Sequence, residues 1–192
     1  MSLLLDIGQG AGLAGSTGVR PFLPPLLVGA LARGDLGVDF EGSGWDFLES
    51  PAFLFAVLAL AALSYVAERS GANRRVVAVG SAVVAIVLGA LLFAGSLAEG
   101  GSSGLPGLLA GAVCALLAYV AIGGLLERVA KRLDEPAAKL LTVYADAVAL
   151  VLAAISILLP PVSFVALAAF LLLLVKGRRE QGRKYAGLRI LR

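Results

Sequence analysis

Residues 140–159, LLTVYADAVALVLAAISILL, decide the fold. At 1.5 Å per residue they make a helix of about 30 Å, the thickness of a bilayer's hydrocarbon core. One charge, Asp146, interrupts the run. Outward from it, residues 51–67, 76–98, 105–126 and 161–175 are apolar runs with no charge at all. A further span is expected in the first thirty-four residues, where Gly15-Ser16-Thr17-Gly18-Val19-Arg20-Pro21 interrupts an apolar stretch. The pattern predicts an all-α, polytopic transmembrane helical bundle of about six spans, with a broken or re-entrant first helix.

Composition agrees. The chain is 59% hydrophobic with a mean hydropathy of +0.95, against about 45–50% apolar residues in soluble domains. Six spans of about 20 residues use nearly all of its 192 residues, so residues 1–176 read as one transmembrane domain and 177–192 as a basic tail. Met1-Ser2-Leu3-Leu4-Leu5-Asp6 has neither a basic n-region nor a cleavage pattern, so no signal peptide is read there. The net charge of +3 fits loop lysines and arginines facing anionic lipid and gives no indication of nucleic-acid binding.

The chain has no histidine and a single cysteine, Cys114. The commonest metal ligand and neutral-pH acid–base group is thus missing, and an internal disulfide is impossible. The spans hold no Gly-rich phosphate loop, metal cluster or spaced carboxylate pair, so neither catalysis nor a metal or cofactor is expected.

Orientation follows from the alternation of loop charges. Residues 33–50 carry Asp35, Asp39, Glu41, Asp46 and Glu49 against Arg33 alone, which marks them as extracytoplasmic. The next connection holds Arg69, Arg74 and Arg75; residues 99–104 have no base; the one after carries Arg128, Lys131, Arg132 and Lys139. The last run enters a tail rich in lysine and arginine, so the C-terminus is expected in the cytoplasm of a bacterial inner membrane, with the N-terminus on the same side unless the first segments form a re-entrant hairpin, which reverses that end alone.

Residues 3–14 and 21–33 are each too short to cross and together too long for one straight span. Two arrangements fit: an interfacial helix followed by a short crossing helix, or a re-entrant hairpin with its tip at residues 15–20. Irregular backbone at membrane depth must be buried in protein or line a polar cavity. Residues 23–30 also resemble 105–112, and Pro51-Ala52 then falls opposite Pro136-Ala137, the pattern of a 3+3 inverted repeat used by transporters.

Asp146 must have something to offset the cost of a charge near the bilayer centre. It reads either as a proton- or cation-coupled carboxylate or as a group locked by a base or by hydroxyls such as Thr142, one turn earlier. Arg20 is the candidate partner, with Pro21 suited to a helix start. Ser16, Thr17 and Arg20, among glycines at that start, read as a site for a small anion, or as a plain turn whose arginine reaches lipid headgroups. Asp6 reads as a second buried carboxylate or as one facing water. Gly8-x-x-x-Gly12 and Gly107-x-x-x-Gly111 permit close helix contact.

Gly18-Val19-Arg20-Pro21-Phe22-Leu23-Pro24, Glu49-Ser50-Pro51-Ala52-Phe53, Tyr65-Val66-Ala67-Glu68 and Gly187-Leu188-Arg189-Ile190-Leu191-Arg192 resemble the bacterial membrane family known as domain of unknown function 4126. The resemblance implies a multi-pass membrane protein and brings no catalytic residues with it. The expectation is a small transporter or channel, or a non-transporting scaffold that contacts membrane lipids. Six short helices enclose little volume, so a homo-oligomer is expected in either case.

Overall fold

A computed structural model describes residues 3–70, 73–130 and 132–186. Its elements, in order, are α1 (Leu3–Val19), α2 (Leu23–Ala32), a 3-10 turn (Asp46–Glu49), α3 (Pro51–Arg69), α4 (Arg74–Glu99), α5 (Leu105–Ala130), α6 (Glu135–Leu158) and α7 (Val162–Ala186). There is no strand among the described residues. Arg75–Glu99, Leu105–Ala130 and Leu140–Leu158 are long and apolar enough to cross a membrane, and Leu23–Ala32, Pro51–Ala67 and Val162–Gly177 are shorter apolar helices.

α1 is the axis of the bundle. Every residue from Gly8 to Val19 is buried, and α4, α5, α6 and α7 all pack on it. Its sequence, LLLDIGQGAGLAGSTGV, holds five glycines, each worth about 0.5–1 kcal/mol against a helix relative to alanine. Such a segment would not stay helical alone; its neighbours hold it, and its small residues let their backbones come close. A Cβ on Gly8 would stand 2.7 Å from the Pro160 carbonyl oxygen, and one on Gly18 would strike the Ala115 carbonyl.

The chain then turns over Arg20–Phe22 and returns as α2. Pro24 and Pro25 open that helix, where the missing N–H groups cost little and φ is already helical. Val28 and Ala32 join Leu13, Phe40, Leu48 and Leu92 in one buried cluster. α1 and α2 therefore form a hairpin, the second of the two arrangements expected. Its tip lies at 20–22, because 15–19 stay helical against α5.

All elements sort into two ends. At one, the start of α1 meets the end of α4: the Ser96 hydroxyl donates to the Asp6 carbonyl at 3.0 Å, and the Gln9 amide donates to Glu99 at 3.4 Å. The segment after α2 covers this end, with Asp39 N–H donating to Glu99 at 3.2 Å and Trp45 against Gly104. Its acidic groups crowd one another. Burial pushes the Glu49 carboxyl above its usual range, the Phe40 N–H pulls it back, and Asp39, Glu41 and Asp35 add to the rise.

The opposite end gathers the connections with the basic residues, and there the Arg128 guanidinium rests 3.0 Å from where a Gly177 Cβ would stand. α3 to α7 run between the ends. α1 starts at the acidic end and α7 finishes at the basic one: the α1–α2 hairpin leaves and returns to the same end, which puts the start of α1 and the end of α7 at opposite ends of the bundle, as the re-entrant alternative requires and the crossing arrangement does not. α7 continues as helix through Ala186, past the boundary expected at residue 176, and residues 187–192 of the tail lie outside the described residues. The expected repeat pairs a helix of 10 residues, α2, with one of 26, α5, so neither six spans nor an inverted repeat is confirmed.

The most extensive helix pairing among the described residues is α4 with α5. A Cβ on Gly111 would stand 2.6 Å from both the Gly89 carbonyl oxygen and Phe93 Cβ, whereas one on Gly80 meets nothing within 4 Å. Gly111→Val should destabilise the protein by about 1–3 kcal/mol through overpacking, while Gly80→Val, with the same change in propensity, leaves the melting temperature in detergent nearly unchanged. Equal shifts would show that packing at Gly111 is not the determinant.

Candidate functional site

The turn over Arg20–Phe22 stops short of the basic end and faces an open cavity of about 1010 Å³. Ser64 and Tyr65 of α3, Ser81 of α4, Tyr119 and Glu127 of α5 and Asp146 of α6 contribute to its wall, with Arg20, Pro21 and Phe22 from the turn. The space exists because α3 stands away from the bundle. Among the described residues it packs on α2, the 3-10 turn and α4, and on neither α5 nor α6.

Arg20 and Asp146, more than a hundred residues apart in sequence, meet here. Arg20 Nε lies 2.6 Å from Asp146 Oδ1, and Nη2 donates to the Thr142 carbonyl at 3.0 Å. Asp146 and Thr142 are one turn apart on the same face of α6, so one guanidinium spans both. Nε is not aligned for a hydrogen bond with the carboxylate, which makes the contact chiefly Coulombic. The side chains are 27% and 36% exposed, so both charges stay open to whatever fills the cavity. A smaller recess of about 230 Å³ adjoins it between Arg20, Thr142, Leu126 and Glu127.

The other expected contacts are placed differently. Ser16 and Thr17 are fully buried, and both hydroxyls donate to the Leu13 carbonyl at 2.8 Å. A hydroxyl on a helix in an apolar core satisfies itself on the preceding turn, so neither reaches the cavity with Arg20. Thr142 takes part through its main-chain carbonyl. Residues 15–18 belong to α1 and so offer no free N–H groups to a ligand, and the following helix opens on two prolines. An anion at this place would rest on Arg20 itself.

Tyr119 donates to the Ala78 carbonyl at 2.8 Å and so ties α5 to α4 at the cavity wall. Ser64 and Ser81 carried no signal in the sequence, because small polar residues in apolar helices mark no face until the helices are assembled, and Glu127, at the edge of the run 105–126, reads as an ordinary loop charge. Asp6 is buried, not solvent-facing, at 3% exposure, and it lies at the acidic end, away from this cavity.

Arg20→Gln and Asp146→Asn each leave one charge of the pair without its counter-charge, and the double variant removes both. Partial exposure screens the pair, so the coupling in a double-mutant cycle should be about 0.2–1 kcal/mol, read from denaturation in detergent. Strictly additive effects would mean that the two charges act independently.

No curated protein and no solved structure matches the chain. A family model, described as Domain of unknown function (DUF4126), matches residues 7–179. With its apolar helices these findings suggest a membrane protein, and the chain belongs to the domain of unknown function 4126 family.

Proposed function

We propose that this is a multi-pass protein of a bacterial inner membrane that acts, without enzymatic chemistry, as a small transporter or channel. The observation that carries the reading is the cavity of about 1010 Å³ with Arg20 and Asp146 in its wall. Two opposite charges at span depth are costly to keep, and the non-helical backbone at residues 20–22 is tolerated there because it lines a polar space. A small anion would bind the guanidinium, and a proton would bind the carboxylate. Either occupant competes with the Arg20–Asp146 contact, which gives the site two electrostatic states.

The rule that basic loops stay inside puts the basic end in the cytoplasm. The cavity then opens inward, the α1–α2 hairpin enters from outside, and α3 to α7 cross. Association of several copies would complete the wall where α3 stands apart. The ion pair itself favours a second reading, a scaffold among membrane lipids in which Arg20 and Asp146 only fix helix packing.

Orientation is tested by labelling single cysteines on a Cys114→Ala background with a membrane-impermeant thiol reagent. Gly124→Cys should react from the cytoplasmic face and Leu36→Cys from the outer face; reaction of both from one face overturns the topology. Function is tested in liposomes. The wild type should dissipate an imposed proton or chloride gradient, and Asp146→Asn or Arg20→Gln should slow it by at least about tenfold, the 1.4 kcal/mol expected of one lost charge contact. Wild-type vesicles as tight as empty ones to both ions would sink the transport reading in favour of the scaffold.

A further inference from the structure

Asp6 is a buried acid that the cavity does not use. It lies about 20 Å along α1 from Arg20 at 1.5 Å per residue. It is 3% exposed, and its Oδ2 has no hydrogen-bond partner among the described residues. The carboxylate rests on Gly100, where a Cβ would collide with it. Gly100 closes the C-terminus of α4, the end at which a helix carries partial negative charge.

The neighbouring group is Glu99, whose two oxygens accept from the Gln9 amide and the Asp39 N–H. The charges that bear on Glu99, those of Asp39 and Asp6, are both negative. The Ser96 hydroxyl is given to the Asp6 main-chain carbonyl and not to the carboxylate. Glu99 and the C-terminal end of α4 thus both act on the buried carboxylate with negative sign, only the first turn of α1, where Asp6 itself stands, opposes them, and Oδ2 has no donor among the described residues. A carboxylate so placed is expensive unless a positive charge joins it.

We propose that Asp6 and Glu99 form a binding site for one monovalent cation, Na⁺, at the acidic end of α1. Glu99 already holds two N–H donors, so the unmet charge is that of Asp6, and a single positive charge balances it. A divalent ion fits poorly. Calcium takes about six or more oxygen ligands, and no group of three or more acidic, cysteine or histidine side chains able to hold a metal occurs among the described residues. The site is independent of the Arg20–Asp146 cavity, although both act on the same helix.

The purified protein in detergent is melted in NaCl against N-methylglucamine chloride at constant ionic strength and fixed pH. A ligand that binds only the folded state raises the melting temperature saturably, so NaCl should raise it and Asp6→Asn should abolish that response. Should Asp6→Asn fail to fold, Glu99→Gln replaces it and should shift the Na⁺ midpoint at least tenfold. The Arg20→Gln/Asp146→Asn double variant should keep the full response, which separates this site from the transport reading. A wild type indifferent to Na⁺, or an Asp6→Asn protein with an undiminished response, overturns the proposal.

Discussion

A glycine-rich helix lies at the centre of this protein, and the rest of the structure follows from having to bury it. Leu13 joins the main buried cluster, but along its glycines α1 packs by letting others approach: Pro160 at Gly8, Phe93 at Gly10, Ser156 and Ser163 at Gly12, Ala115 at Gly18. Close approach gains dispersion contacts that longer side chains would hold off, and these offset the poor helix propensity of glycine. It also forces any polar group on α1 to find a partner in the interior. Ser16 and Thr17 do so on their own helix, and Gln9 does so on α4.

The polar groups at the two ends of α1 have different solutions. At the turn after Val19, Arg20 crosses to α6 and meets both a carboxylate and a carbonyl, while the backbone released from helix geometry lines an open space. At the start, Asp6 is enclosed by α4 and by the segment that follows α2. The same short helix therefore carries a compensated pair beside a cavity and an uncompensated acid in a closed site, with its glycine-rich middle between them. Because α1 is held by α4, α5, α6 and α7 together, a change of charge at either end acts on a helix that most of the bundle touches.

Much of this was legible in the chain. Uncharged runs of the right length announce the helices, prolines at 51 and 136 mark two of their starts, and the alternation of acidic and basic connections separates the two ends. Asp146 stood out because a lone charge in an apolar run needs an explanation, and Arg20 stood out because it sits at a break. The position of the break was less legible: Gly15-Ser16-Thr17-Gly18 reads as a turn by propensity, and the surrounding helices override that propensity by packing on it.

The sequence by itself determined the class of the protein, its helices and the polarity of its ends, because these depend on local hydropathy, caps and charge. Only the tertiary structure decided that the first two segments form a hairpin and that Ser16 and Thr17 turn away from the cavity. It also brought Arg20 onto the Thr142 carbonyl and closed Asp6 in beside Glu99. Those are matters of which helix faces which, and in a chain of alanine, glycine, leucine and valine many faces are nearly alike until close packing selects among them.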